Sequence, residues 1–144
     1  MFDFLLSKTK LTTAKILVVD DEPSLVKTLQ CRLEANNYQV ITACNGREAM
    51  EKALAEKPDI ILLDIMMPVM DGLEMLEKLR MTDEGKEIAV IMLTACSSKQ
   101  DIERANACQI EDYIVKPFDL SELLEKIQNI LKSENRFRIR AKSR

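Results

Sequence analysis

The sequence predicts an α/β fold built on one doubly wound, five-stranded parallel sheet, and three observations predict it. Short aliphatic runs recur at Ile16-Leu17-Val18-Val19, Ile60-Ile61-Leu62-Leu63 and Ala89-Val90-Ile91-Met92-Leu93. They are too short for buried helices and too uniformly apolar for strands with one wet face, so they read as central parallel strands. Between them lie stretches whose apolar residues are spaced three and four apart, the period of a helix with one buried face. Regular alternation of the two kinds of segment implies βαβ units with right-handed crossovers.

Residues 1–14 carry Phe2, Phe4, Leu5 and Leu6 ahead of a Ser/Thr/Lys stretch, and are expected to form a flexible extension, with a docking segment as the other reading. The folded domain is expected over 15–132. The first strand ends in Asp20, Asp21 and Glu22, after which Pro23 suits a first helical turn. Leu25, Val26, Leu29 and Leu33 then mark a helix that stops near Asn36-Asn37. Gln39 to Ala43 alternates Val40 and Thr42 with Ile41 and Ala43, a weaker strand.

Asn45 with Glu48 reads as a helix cap with its reciprocal partner, and Pro58 closes that helix. The third strand, Ile60 to Leu63, delivers Asp64, and a helix from about Asp71 to Met81 turns Leu73, Leu76 and Leu79 inward. The fourth strand delivers Thr94. A polar helix over about 98–107 has few large apolar residues, so its packing is expected to be marginal. Tyr113-Ile114-Val115 is the fifth strand, and it delivers Lys116. Asp119 and Glu122 suggest another capping box before an amphipathic helix with Leu120, Leu123, Leu124, Ile127, Ile130 and Leu131. Residues 133–144 hold Arg136, Arg138, Arg140, Lys142 and Arg144 against Glu134, a basic tail read as flexible and solvated, or as an edge strand or interaction arm.

Composition narrows the chemistry. A formal net charge of −3 on 144 residues argues against a nucleic-acid-binding body. The four cysteines, Cys31, Cys44, Cys96 and Cys108, form no C-x-x-C pair, so neither a zinc nor a redox motif is signalled. Without a secretory signal or a long apolar span, a cytoplasmic protein away from the membrane is expected. Histidine is absent, which excludes catalytic triads, His-ligated zinc and a phosphohistidine within this chain. An imidazole in the chemistry must come from another protein.

In a parallel sheet all carboxyl ends of strands face one edge, where ligands bind in open α/β folds. Asp20, Asp21, Asp64, Thr94 and Lys116 therefore converge. Two carboxylates about 4 Å apart repel by roughly 4 kcal/mol at an effective dielectric near 20, so three of them require a counter-ion. Hard oxygen ligands without His or Cys select Mg²⁺, with Mn²⁺ or Ca²⁺ less suited. Lys116 can pair with a phosphoryl oxygen and Thr94 can donate a hydroxyl. Asp64, between them on the middle strand, is then a candidate nucleophile that accepts a phosphoryl group as an acyl phosphate.

The ordered motifs Ile16-Leu17-Val18-Val19-Asp20-Asp21-Glu22, Leu63-Asp64-Ile65-Met66-Met67-Pro68 with Asp71-Gly72, Leu93-Thr94-Ala95 and Lys116-Pro117-Phe118 closely resemble the receiver domain of two-component response regulators. The resemblance spans about residues 15–132. It implies a flavodoxin-like fold of strand order 2-1-3-4-5, and a phosphodonor histidine on a sensor kinase or phosphotransfer protein. It further implies Asp64 as the phosphorylated residue, with Mg²⁺ held by Asp20, Asp21, Asp64 and the Met66 carbonyl. Thr94 and Tyr113 fall at the family's switch positions, which reshape the face of the fourth helix, fifth strand and fifth helix to control a downstream partner or output domain. A monomer or a phosphorylation-dependent homodimer fits that behaviour.

Two departures from the pattern matter. Gln109-Ile110-Glu111-Asp112 stands where the family often has Gly-Ala-Asp-Asp, removing the glycine that would cap the fourth helix in left-handed geometry. Met66 and Cys96 lack groups that could orient an attacking water, which predicts a long-lived phosphorylated form. Two other functions fit these residues less well. A haloacid-dehalogenase-type phosphatase would need an Asp-x-Asp strand end and a substrate cap, and the order of the acids here is reversed. A phosphorylation-independent scaffold would not need the complete acid, threonine and lysine set, so a signalling domain, not an enzyme, is the expectation.

Overall fold

In a computed structural model, which describes residues 13–95 and 98–142 and side chains as far as 133, the five strands form one parallel sheet of order 2-1-3-4-5. The chain runs β1 (Lys15–Val19), α1 (Pro23–Ala35), β2 (Gln39–Ala43), α2 (Gly46–Glu56), β3 (Ile60–Leu63), α3 (Gly72–Arg80), β4 (Ala89–Thr94), α4 (Lys99–Ala107), β5 (Asp112–Val115) and α5 (Leu120–Lys142). Every residue of β3 and β4 is buried, as their uninterrupted apolar runs require. β2 is an edge strand, and its mixed composition matches its half-wet position.

Alternate side chains of the strands feed two separate cores. Leu17, Val19, Ile61, Leu63, Val90 and Met92 pack against α2, α3 and Ala105 of α4. Ile16, Val18, Ile60, Leu62, Ile91 and Leu93 pack against Leu29 and Leu33 of α1 and Leu123 and Ile127 of α5. Period-two alternation thus assigns each strand residue to one layer.

Helix ends account for much of the local structure. At the α1 terminus the Tyr38 N–H reaches the Leu33 carbonyl (3.1 Å) and the Asn37 N–H the Glu34 carbonyl (3.0 Å), with Asn37 at φ 70°, a left-handed stop supplied by asparagine. At the start of α2 the Asn45 side chain accepts from the Glu48 N–H at 2.8 Å. The reciprocal bond differs from expectation: the Glu48 carboxylate accepts from the Cys44 N–H (2.8 Å), one residue before the cap.

The fourth helix is the least embedded, with Ala105 its buried residue. Two arginines tie it to α3 in place of apolar packing. Arg104 donates to both carboxylate oxygens of Glu77 at 2.8 and 3.1 Å. Arg80 donates to the carbonyls of Cys108 (2.8 Å), Gly85 (2.8 Å) and Ile88 (2.7 Å), closing the end of α4 onto the α3–β4 connection. The helix terminates in left-handed geometry despite the missing glycine, because Gln109 takes φ 59° itself. A side chain in that region costs about 1–2 kcal/mol relative to its right-handed form. Gln109→Gly is therefore expected to raise stability by about 1 kcal/mol, read as a higher urea midpoint at unchanged slope.

The C-terminal boundary drawn at 132 from composition does not coincide with a change of backbone. Helix α5 continues through Lys142, so the basic stretch extends a helix and is not an edge strand. The arginines are good helix formers, so the backbone stays helical although no apolar residue falls between Leu131 and Phe137. The expectations for residues 1–12 lie outside the described residues, as does the side chain of Cys96. Among the described residues no helix is long and apolar enough to cross a membrane.

Candidate functional site

The order 2-1-3-4-5 reverses direction between β1 and β3, and the crevice beyond those two strand ends is where the acids lie. Val19 and Leu63 are partners in register, so the residues that follow them emerge side by side. Hydrogen bonds carry the ladder one step further, from the Asp64 N–H to the Val19 carbonyl (3.0 Å) and from the Asp20 N–H to the Ala43 carbonyl (3.1 Å). Asp20 and Asp64 are buried, at 3% and 5% exposure, whereas Asp21 is exposed. Oxygens of Asp20, Asp21 and Asp64 all lie within 4.8 Å of one another.

Lys116 closes the cluster from β5. Its backbone N–H bonds to the Thr94 carbonyl (2.7 Å), which sets where the side chain starts. Its Nζ then lies 2.6 Å from Asp20 Oδ2 and 3.6 Å from Asp64 Oδ2. Burial alone would lower the Lys116 pKa, but the Asp20 carboxylate, and after it Asp64, hold it above its ordinary value. Asp20 is further satisfied by the Glu22 N–H at 2.9 Å.

Asp64 is under opposite pressure. Burial is the largest cause, and the Asp20 charge the next, of a pKa raised to about 6; Lys116 and the Met66 N–H pull it back only in part. One ammonium cannot neutralise three carboxylates. Their donor set is entirely hard oxygen, Asp21 is open to water, and a cleft of about 470 Å³ between α1 and the start of α2 reaches Asp20 and Asp21. These features fit a small divalent cation that keeps part of its hydration, as Mg²⁺ does.

Of the residues singled out from sequence, Asp20, Asp21, Asp64 and Lys116 come together at this centre. Thr94 is fully buried at the end of β4, the strand next to β3 on the same edge. Met66 turns its side chain to solvent, at 67% exposure, while its backbone faces Asp64. Tyr113 is half-buried and packs, with Cys108 and Ile110, against the core layer that includes Ala105 of α4. Sequence reasoning missed Gly72 as a site residue. An added Cβ there would meet the Asp64 carbonyl oxygen at 2.0 Å, so the start of α3 rests directly on the backbone of the central acid. The Asp71-Gly72 pair following a strand-end acid was the available signal.

Comparison with known proteins agrees with this geometry. The model of the response regulator receiver domain family matches residues 16–128. The chain is 43% identical over 118 residues to the alkaline phosphatase synthesis transcriptional regulatory protein PhoP of Bacillus subtilis, covering 82% of this chain and 48% of PhoP. It thus spans about half the length of that curated relative. Among solved structures, the chemotaxis response regulator CheY4 of Vibrio cholerae superposes with a TM-score of 0.76 at 36% identity, over 82% of this chain and 98% of CheY4. The receiver domain of the sensor histidine kinase PA1611 of Pseudomonas aeruginosa, solved with a magnesium ion coordinated in its active-site cleft, gives 0.76 at 29% identity, over 83% of this chain and 98% of that one.

Proposed function

The chain belongs to the response regulator receiver domain family of two-component signalling, and from that premise we propose that it accepts a phosphoryl group on Asp64 from a histidine kinase or histidine phosphotransfer protein. Receiver domains are signalling domains that interact with histidine kinases and output domains, and the family typically binds Mg²⁺. The observation that carries the specific reading is the cluster itself: a buried carboxylate at the switch point of the sheet, two further acids beside it and one lysine bridging them.

Asp20, Asp21 and Asp64, with the carbonyl of Met66, would hold the cation. When bound, Mg²⁺ would neutralise the clustered acids and the charge of the incoming phosphoryl oxygens. Magnesium in the active-site cleft of the PA1611 receiver supports this assignment. An Asp64 carboxylate oxygen forms the new O–P bond as the donor's P–N bond breaks, the electron pair returning to the imidazole. Lys116, already charged and aimed at the Asp20–Asp64 gap, pairs with a phosphoryl oxygen once the phosphoryl group enters. Thr94 supplies a hydroxyl hydrogen bond from the adjacent strand. The signal passes from Thr94 and Tyr113 to the face of α4, β5 and α5, where α4 is held by arginine contacts more than by a deep apolar core. A downstream protein or output domain, or a second copy of the chain, would read that face.

Intact-mass analysis with acetyl phosphate and Mg²⁺ tests the proposal. Wild type should gain a single phosphoryl increment, with acetate as the leaving group, and should lose the gain when the metal is chelated. Asp64→Asn should gain nothing. An increment that survives the substitution refutes the assignment. The acyl phosphate should outlast a timescale of seconds, because the exposed Met66 side chain carries no group to orient an attacking water. Mn²⁺ should substitute for Mg²⁺.

A further inference from the structure

The connection that leaves Asp64 toward α3 carries a strained turn. The Met70 N–H bonds to the Pro68 carbonyl two residues back (2.7 Å), closing a three-residue turn around Val69 at φ 70°. A β-branched residue is a genuine outlier in that region, and Val69 is 75% exposed, so no packing of its own side chain compensates. The turn must be held by its neighbours.

Two backbone bonds hold it. The Gly72 N–H returns to the Ile65 carbonyl (2.9 Å), and the Gly46 N–H at the start of α2 reaches the Met70 carbonyl (2.9 Å). The second bond requires glycine: a Cβ at Gly46 would lie 2.4 Å from the Met70 oxygen and 3.0 Å from its carbonyl carbon. The anchor is itself fixed, through the Asn45 cap, the Glu48 bond to Cys44 and Lys52, which donates to the Thr42 carbonyl at 2.6 Å. We propose that Gly46 is a positioning residue for the cation site: its amide holds the strained turn at Val69 and, through the connection, the backbone of Met66 against Asp64. This rests on the Mg²⁺ reading above. The ordering of the loop is then completed during folding, and the cation meets a pre-formed carbonyl.

Calorimetric Mg²⁺ titration of the full chain tests the inference. Gly46→Ala should weaken binding about tenfold, as loss of an orienting shell does in other metal sites, with phosphorylation by acetyl phosphate recovering at saturating Mg²⁺. Val69→Gly, which relieves the strain, should keep wild-type affinity or better, and in the double variant should recover most of the loss. A role confined to stability would lower the urea midpoint of Gly46→Ala and leave its Mg²⁺ affinity untouched, and that result overturns the inference. If Gly46→Ala does not fold, Asn45→Ala takes its place: removing the cap that fixes the start of α2 loosens the Gly46 amide and should weaken Mg²⁺ binding in the same direction, and an unchanged affinity overturns the inference. Wild type and Asp64→Asn separate the two levels. Absence of Mg²⁺ binding by wild type sinks both readings, whereas binding lost in Asp64→Asn but kept in Gly46→Ala sinks only this one.

Discussion

Gly72→Ala should destabilise the domain by about 3 kcal/mol and slow phosphorylation of whatever fraction stays folded. The new Cβ would stand 2.0 Å from the Asp64 carbonyl oxygen, 2.9 Å from its carbon and 3.0 Å from the Ile65 Cα. All three are backbone atoms of a strand end with β1 on one side and β4 on the other, so no side chain can rotate away. Either α3 lifts, and the buried contacts of Leu73, Leu76 and Leu79 loosen with it, or Asp64 moves relative to Asp20 and Lys116. Urea denaturation reads the first consequence and acetyl phosphate kinetics the second. A variant with both properties at wild-type values would show that the close approach has no mechanical role.

Asp64→Asn should stabilise the metal-free protein at pH 7 while destroying its capacity to accept a phosphoryl group. The folded carboxyl is raised to about 6, by burial first and the Asp20 charge second, from an ordinary value of 3.8. A raised carboxylate binds its proton more tightly in the folded state than in the unfolded one. Its favourable contribution is therefore complete below about pH 4 and is lost as pH rises through about 6. Above that, wild type carries the whole penalty of an ionised buried acid and the asparagine variant carries none. The difference should open between pH 4 and 6 and level off at about 1–2 kcal/mol, less than the full shift implies because the cleft admits water. Millimolar Mg²⁺ should reverse the ranking, since a ligand that binds only the folded wild type adds stability in proportion to the logarithm of its concentration over Kd. A constant difference from pH 4 to 8 would show that Asp64 is not held out of its ordinary range.

The two predictions bear on one compromise. The proposed nucleophile is embedded in a low-dielectric edge beside like charges, and Lys116 offsets part of that repulsion. Lys116 itself illustrates what residue type alone conceals. As a strand-end lysine it is a candidate partner for phosphoryl oxygens, yet its Nζ lies nearer Asp20, at 2.6 Å, than Asp64, at 3.6 Å. Which carboxylate it prefers depends on where the β5 backbone, pinned to the Thr94 carbonyl, releases its side chain.

What the sequence determined by itself was everything set by period and position along one strand or helix. The apolar runs named the central strands, the three-four spacings named the buried helix faces, and the strand-end residues Asp20, Asp21, Asp64, Thr94 and Lys116 named the edge where chemistry belongs, because a parallel sheet aligns those ends without further instruction. Only the tertiary structure decided matters that rest on two distant backbones meeting. Gly46 and Gly72 look like ordinary helix-start glycines until Met70 and Asp64 are brought against them. Arg80 carries no signal in the sequence, yet carbonyls from two connections surround it, Gly85 and Ile88 on one and Cys108 on the other. Gln109 accepts left-handed geometry, against its own preference, because β5 must begin where it does. Local propensities are worth a fraction of a kcal/mol to about 1 kcal/mol per residue and can be read in order, but close backbone approaches and buried donor sets are decided by packing, which outweighs them.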